Sequence, residues 1–183
     1  MTAFIQPQPQ AYSLQCYAPG KLSDTDRHRL GRFRSKVWRE QGHTISHCST
    51  SDSWLERADI EAYIWLAEHQ GNIIATARMN LCTDLTHLPE KQLYQSLGHQ
   101  LATPLATWGR LAVATQWRNQ GLANQLIKSR LMHANELGCR NIVLDCPVSR
   151  VAAMRSHRFE VLLPPQAGIL FPELQFVVMG RAL

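Results

Sequence analysis

At 183 residues, 45% apolar and 18% charged, the chain has the size and makeup of one ordinary globular domain, neither disordered nor fibrous. No apolar run approaches the ~20 residues of a membrane span, and the opening MTAFIQPQPQ lacks the basic and apolar regions of a signal peptide, so neither a membrane nor export is expected. The net charge of +5 favours acidic partners, a polyanionic cosubstrate and nucleic acid alike.

Residues Thr2 to Gln10 read as a loose tail, with two prolines among glutamines. YSLQCYA (Tyr12 to Ala18) predicts a first strand ended by PGK. Ser23, with Asp26 three positions on, signals a helix N-terminus. Leu30, Phe33 and Val37 then repeat at helical spacing, with the arginines expected on the other face and Gly42 as the stop. From His43 to Ile60 the sequence is polar and aperiodic and predicts a long loop with one short helical turn. AYIWLAEH and IIATARMNL flank QGN and predict a hairpin. Cys82 to Pro104 is irregular, with a helical tendency at PEKQLYQSLG. LATWGRLAVA (Leu105 to Ala114) predicts a strand, with Gly109 hinting at a bulge. Ala123, Leu126, Ile127, Leu131, Ala134 and Leu137 form one stripe of a second long helix that Gly138 ends. NIVLDCPV is a buried strand, SRVAAMRSHR a short helix capped by Ser149, and FEVLLP and LQFVVMGRAL two further strands. One α/β domain spans 1–183, with strands outnumbering helices.

Five cysteines (Cys16, Cys48, Cys82, Cys139 and Cys146) are odd in number and scattered, which fits reduced thiols in a cytoplasm. HTISHC places His43, His47 and Cys48 close together, but a metal site needs a further ligand set at defined spacing, and no metal is expected. Trp38, Trp54, Trp65, Trp108 and Trp117 are spread across elements and read as core or cleft lining, not base-stacking platforms. The basic run Arg27 to Arg39 reads as a solvated helix face, so nucleic acid is not the expected partner.

The stretch TQWRNQGLANQLI carries the clearest chemistry. A helix entered through Arg118-x-x-Gly121-x-Ala123 offers free N–H groups and the positive end of its dipole to a diphosphate. Gly121 lets the ligand approach the backbone, Ala123 keeps the next turn low, and Arg118 adds a cation. Neither a Walker loop nor G-x-G-x-x-G is present.

WGRLAVATQWRNQGLANQLI, from Gly109–Val113 through Arg118, Gly121 and Ala123, resembles the acetyl-CoA-binding segment of the GNAT superfamily of N-acetyltransferases. The likeness is specific from about Leu105 to Phe159 and looser upstream. It implies a mixed, mostly antiparallel α/β (α+β) sheet of six to seven strands, splayed between the fourth and fifth and flanked by about four helices. RLAV would be the fourth strand and NIVLDC the fifth. An acyl-CoA would lie in the opening: Leu111, Ala112 and Val113 along the pantetheine arm, the Val113 N–H at the oxyanion formed on attack, and Arg118, Asn119, Gln120, Gly121, Leu122 and Ala123 on the pyrophosphate. Dimers are common in the family, so a homodimer is one expectation.

The resemblance implies an acetyl-CoA-dependent N-acetyltransferase acting on the primary amine of a small molecule or peptide. Candidate bases are Glu61, Asp59, Asp84, His87 and Asp145. The family's usual tyrosine acid is missing: VAAMRSHRF has Met154 or Arg155 near its place, and no tyrosine follows Tyr94. Cys146, Ser149 and His157 are the substitutes at hand. A longer-chain synthase resembling acyl-homoserine-lactone synthases is the alternative, although Thr107 stands where those carry an acidic residue. A non-catalytic acyl-CoA-binding module is the other.

Overall fold

The expected hairpin forms from β2 (Tyr63–His69) and β3 (Asn72–Cys82), which pair antiparallel with His69 opposite Asn72. Its two-residue turn is Gln70-Gly71, both at positive φ (48° and 73°), the conformation whose twist suits a tight hairpin. Glycine adopts it without a Cβ penalty.

In this computed structural model residues 11–43 and 53–183 are described. The tail expected at 1–10 and most of the loop expected after His43, including His47 and Cys48, lie outside the described residues.

Around the hairpin grows one sheet in the order β1-β2-β3-β4-β5-β8-β6, with β7 on β8. The remaining strands are β1 (Ser13–Tyr17), β4 (Leu105–Val113), β5 (Asn141–Pro147), β6 (Glu160–Val161), β7 (Gln166–Ala167) and β8 (Gln175–Ala182). Every pairing is antiparallel except β4 with β5. The described residues hold eight strands against the expected six to seven, because FEVLLPPQAG contributes two short strands, both bonded to β8.

The described residues hold three α-helices instead of four: α1 (Asp24–Arg39), α2 (Leu122–Glu136) and α3 (Val151–Arg155). PEKQLYQSLG forms 3-10 turns. The Ser23 hydroxyl accepts the Asp26 N–H at 3.1 Å, as its spacing implied. Ser149 caps nothing: α3 begins after Arg150 with no side-chain cap. No helix among the described residues is long and apolar enough to cross a membrane.

Strand alternation sends side chains to two faces. Ala106, Trp108, Ile142, Leu144 and Cys146 pack with Leu126 and Ile127 of α2 and Met154 of α3. Leu105, Val143 and Val178 point the other way, under Leu88, Leu93, Tyr94 and Leu97 of the irregular segment. On that second face Ile64 and Leu66 also receive Leu30 of α1. One arginine departs from the expected polar face of α1: Arg34 is buried, its Nη1 bonded to Asp59 at 2.8 Å.

Candidate active site

The parallel ladder between β4 and β5 runs only from Leu105/Asn141 to Trp108/Leu144. Beyond it the strands no longer pair, and a cavity of ≈ 290 Å³ lies between Gly109–Val113 on one side and Leu144–Pro147 on the other. A bulge shapes the β4 wall. Thr76 pairs with Ala112 but Arg78 with Gly109, so two residues, Arg110 and Leu111, oppose Ala77 alone. The sequence pointed to Gly109; the residue in the left-handed region is Arg110, at φ 54°. A bulge re-aims side chains. Here it turns Arg110 away from α2 and onto the face of the irregular segment.

Arg110 meets acids there. Its Nε and Nη2 donate to Glu56 at 2.7 and 2.6 Å, and Nη2 also to Glu90 at 2.6 Å. Arg78 Nη1 donates to Glu56 at 2.6 Å, and its ion pair with Asp59 at 3.4 Å links on to Arg34. Burial alone would raise the Glu56 carboxyl, but the bonds and charge of Arg110, then Arg78, outweigh it and hold Glu56 at about 2. The Arg110 guanidinium also lies 5.0 Å from the Trp54 ring centroid.

Past Val113 the chain enters the predicted anion turn. Ala114 N–H donates to Ile74 C=O at 2.8 Å, so the neighbouring Val113/Ala75 pair is the non-bonded kind and Val113 turns its own N–H and C=O away from β3. That C=O accepts Arg118 Nε at 3.2 Å. Asn119 and Gly121 both have positive φ (61° and 84°). The first α2 bond is Gln125 N–H to Gly121 C=O, at 3.0 Å, which leaves the N–H groups of Leu122, Ala123 and Asn124 without helical partners. Asn119, Gln120 and Gly121 are exposed and Leu122 is buried. Arg118, Ala123 and Asn124 border the same cavity as the open strands.

The candidate bases separate. Asp145 borders the cavity, and its Oδ1 is buried without a hydrogen-bond partner. Burial, then the nearby Glu90, pushes its carboxyl up to about 7 against the pull of Arg110. Cys146 is buried and donates weakly to Pro147 C=O at 3.5 Å; burial and Asp145 push its thiol to about 12, so it stays neutral. Glu61 is exposed and outside the cavity, Asp59 is committed to Arg34 and Arg78, and the Asp84 carboxylate caps the turn at Thr86. His87 lies in a 3-10 turn. Ser149 and His157 also fall outside the cavity lining.

Trp38, Trp54 and Trp108 line the cavity, as the cleft reading of the tryptophans expected, whereas Phe171 and Arg130 escape sequence reasoning. Trp38 and Trp54 close the cavity with Phe171, which stacks on Trp38 at 4.3 Å between centroids. Tyr94 is buried beneath the same face; burial, then Glu90 and Asp145, raises its phenol, so it is neutral. On the α2 face, Arg130 and Trp108 form the cavity floor. Arg130 had a readable signal: it lies four residues from both Leu126 and Ala134, on the apolar stripe itself. No cluster of three metal-ligating side chains occurs among the described residues.

Residues 26–160 match the Acetyltransferase (GNAT) family. No curated protein sequence matches significantly. Among solved structures, an acyl-CoA N-acyltransferase from Pseudomonas aeruginosa superposes with a TM-score of 0.68 at 18% identity, covering 94% of this chain and 100% of that one. FeeM, an N-acyl amino acid synthase from uncultured soil microbes, gives 0.71 at 13% identity over 94% and 92%. BjaI, a CoA-dependent acyl-homoserine lactone synthase solved with SAM and isopentyl-CoA, gives 0.72 at 13% identity over 93% and 82%. At such identities the likeness is one of fold.

Proposed function

Because the chain belongs to the Acetyltransferase (GNAT) family, we propose that it moves an acyl group, acetyl in the simplest case, from a coenzyme A thioester to a primary amine by direct attack. The observation that carries this reading is the Val113 N–H turned into an opening that Asp145 also borders.

The residues fit the thioester from end to end. Arg118 and the free N–H groups of Leu122 and Ala123 receive the diphosphate, and Gly121, with no Cβ, takes the positive φ of that turn without strain and leaves the approach open. Leu111, Ala112 and Val113 run beside the pantetheine arm. The Val113 N–H donates to the thioester oxygen as negative charge builds on it. Coenzyme A itself supplies the activated acyl group and a thiolate leaving group.

An alkylamine arrives protonated at pH 7. Asp145, ionised above about 7, accepts that proton. The freed nitrogen bonds the carbonyl carbon to give the oxyanion; the carbon–sulfur bond then breaks, and the nitrogen's second proton passes to the departing thiolate. A thiolate of ordinary thiol acidity leaves without full protonation, so the absent tyrosine slows the reaction without forbidding it. Cys146, held neutral, is a poor nucleophile, which favours direct transfer over an acyl-enzyme.

Release of free thiol from acetyl-CoA across amino acids, polyamines, aminoglycosides and peptides tests the reading. Coenzyme A should also raise the melting temperature by mass action. No thermal shift at millimolar coenzyme A would sink it.

A further inference from the structure

Arg130 is 2% exposed and Trp108 4%, yet both border the cavity. The Arg130 guanidinium lies 4.2 Å from the Trp108 ring centroid. Its Nε and Nη1 make only long bonds, to Leu126 C=O and Arg78 C=O, both at 3.3 Å. No carboxylate among the described residues pairs with it, and burial alone pulls its pKa down to about 9, so it is still charged at pH 7. The Trp108 Nε1–H is buried with no hydrogen-bond partner among the described residues. A buried charge without a counter-ion is costly, and a buried donor without an acceptor adds to that cost. Two such groups at one cavity floor, with Ile127, Leu144 and Met154 around them, are complementary to an anion on an apolar stem.

The faces of the sheet decide which substrate brings that anion. Asp145 and Glu90 belong to the side of the irregular segment, where they suit an incoming ammonium group. Arg130 and Trp108 lie on the α2 side, with the helix whose first turn would hold the coenzyme. We propose that the acyl donor ends in a carboxylate, as in a short dicarboxylic acyl-CoA, and that Arg130 and the Trp108 N–H bind that carboxylate. The inference rests on the acyl-CoA reading above and refines its donor.

Calorimetric titration of the full chain with coenzyme A, butyryl-CoA, pentanoyl-CoA, succinyl-CoA and glutaryl-CoA tests this without an acceptor. Succinyl- or glutaryl-CoA should bind at least about tenfold more tightly than its uncharged counterpart, as a charge-assisted pair implies. Arg130→Gln should bring that ratio to near one, and Trp108→Phe should reduce it in part. If Arg130→Gln does not fold, the wild-type ratio and Trp108→Phe still decide. Coenzyme A binding with no preference for the carboxylate overturns the donor assignment alone. Failure of coenzyme A itself to bind overturns the acyl-CoA reading and this assignment with it.

Discussion

Arg110 grips both oxygens of Glu56, a residue 54 positions earlier, through a two-pronged pair at 2.7 and 2.6 Å. The same guanidinium holds Glu90. The β4 bulge is thereby tied to the segments on either side of the hairpin, and all three carry cavity-lining residues. Glu56 is held at about 2, against an ordinary value of 4.5. A lowered folded pKa stabilises above the unfolded value and is lost as pH falls towards the folded one. We expect the protein to lose stability between about pH 4.5 and pH 2, and Glu56→Gln to remove ~3 kcal/mol at pH 7, measured by urea unfolding. A change under ~0.5 kcal/mol would show the clamp to be incidental.

Asp145 gives the opposite sign. Its folded pKa is raised from 3.8 to about 7, so the folded state keeps a proton that the unfolded chain has lost. Stability falls as pH rises from about 4 to 7 and levels off above. Asp145→Asn should match wild type at pH 4 and exceed it by ~1–2 kcal/mol at pH 8, after allowing for the solvent that reaches this group. If Asp145 is the base, the same variant loses about a hundredfold or more in acyl transfer, and wild-type activity rises with a midpoint near 7. A stabilised variant with full activity would leave Asp145 a bystander.

Arg118 is bonded to Val113 C=O through Nε, which fixes the guanidinium beside the first turn of α2. Reversing its charge should weaken coenzyme A binding ~10–100-fold and flatten its salt dependence. Thermal shift at graded coenzyme A concentrations reads this directly. Dephospho-coenzyme A should lose affinity in parallel, because the diphosphate is common to both. Arg118→Glu binding as wild type would move the diphosphate elsewhere.

The parts of this molecule that were legible in the sequence are those governed by short-range rules. The Ser23 cap, the hairpin, the α2 stripe and the exposed turn at Gly121 each follow from spacing within a few residues. The bulge was half legible: Gly109 marked its place, but the strained residue is Arg110, held by Glu56 and Glu90 from two aperiodic loops. Such pairs depend on where long loops return to the sheet, and no periodicity encodes that. Arg34 and Arg130 are a middle case. Each is a charge at an apolar-stripe position of its helix, which marks it as unusual, but its partner or lack of one appears only with the fold. The short strands β6 and β7 exist because β8 offers them an edge, and two residues carry no pattern of their own.

Gly31 tests how the Trp54 wall is seated. It lies inside α1, where alanine ordinarily improves a helix by about 1 kcal/mol. Here its C=O accepts the Trp54 N–H at 3.0 Å. A Cβ at this position would overlap the Ser53 hydroxyl and come within 2.9 Å of Leu55 Cγ. Close approach should therefore outweigh propensity, so Gly31→Ala is expected to destabilise by ~1–2 kcal/mol. Trp54 stands under Arg110 and edge-on to Trp38, so displacing it should also shift the intrinsic fluorescence. A more stable variant with an unchanged emission spectrum would mean that segment 53–55 is not pressed onto the helix at this point.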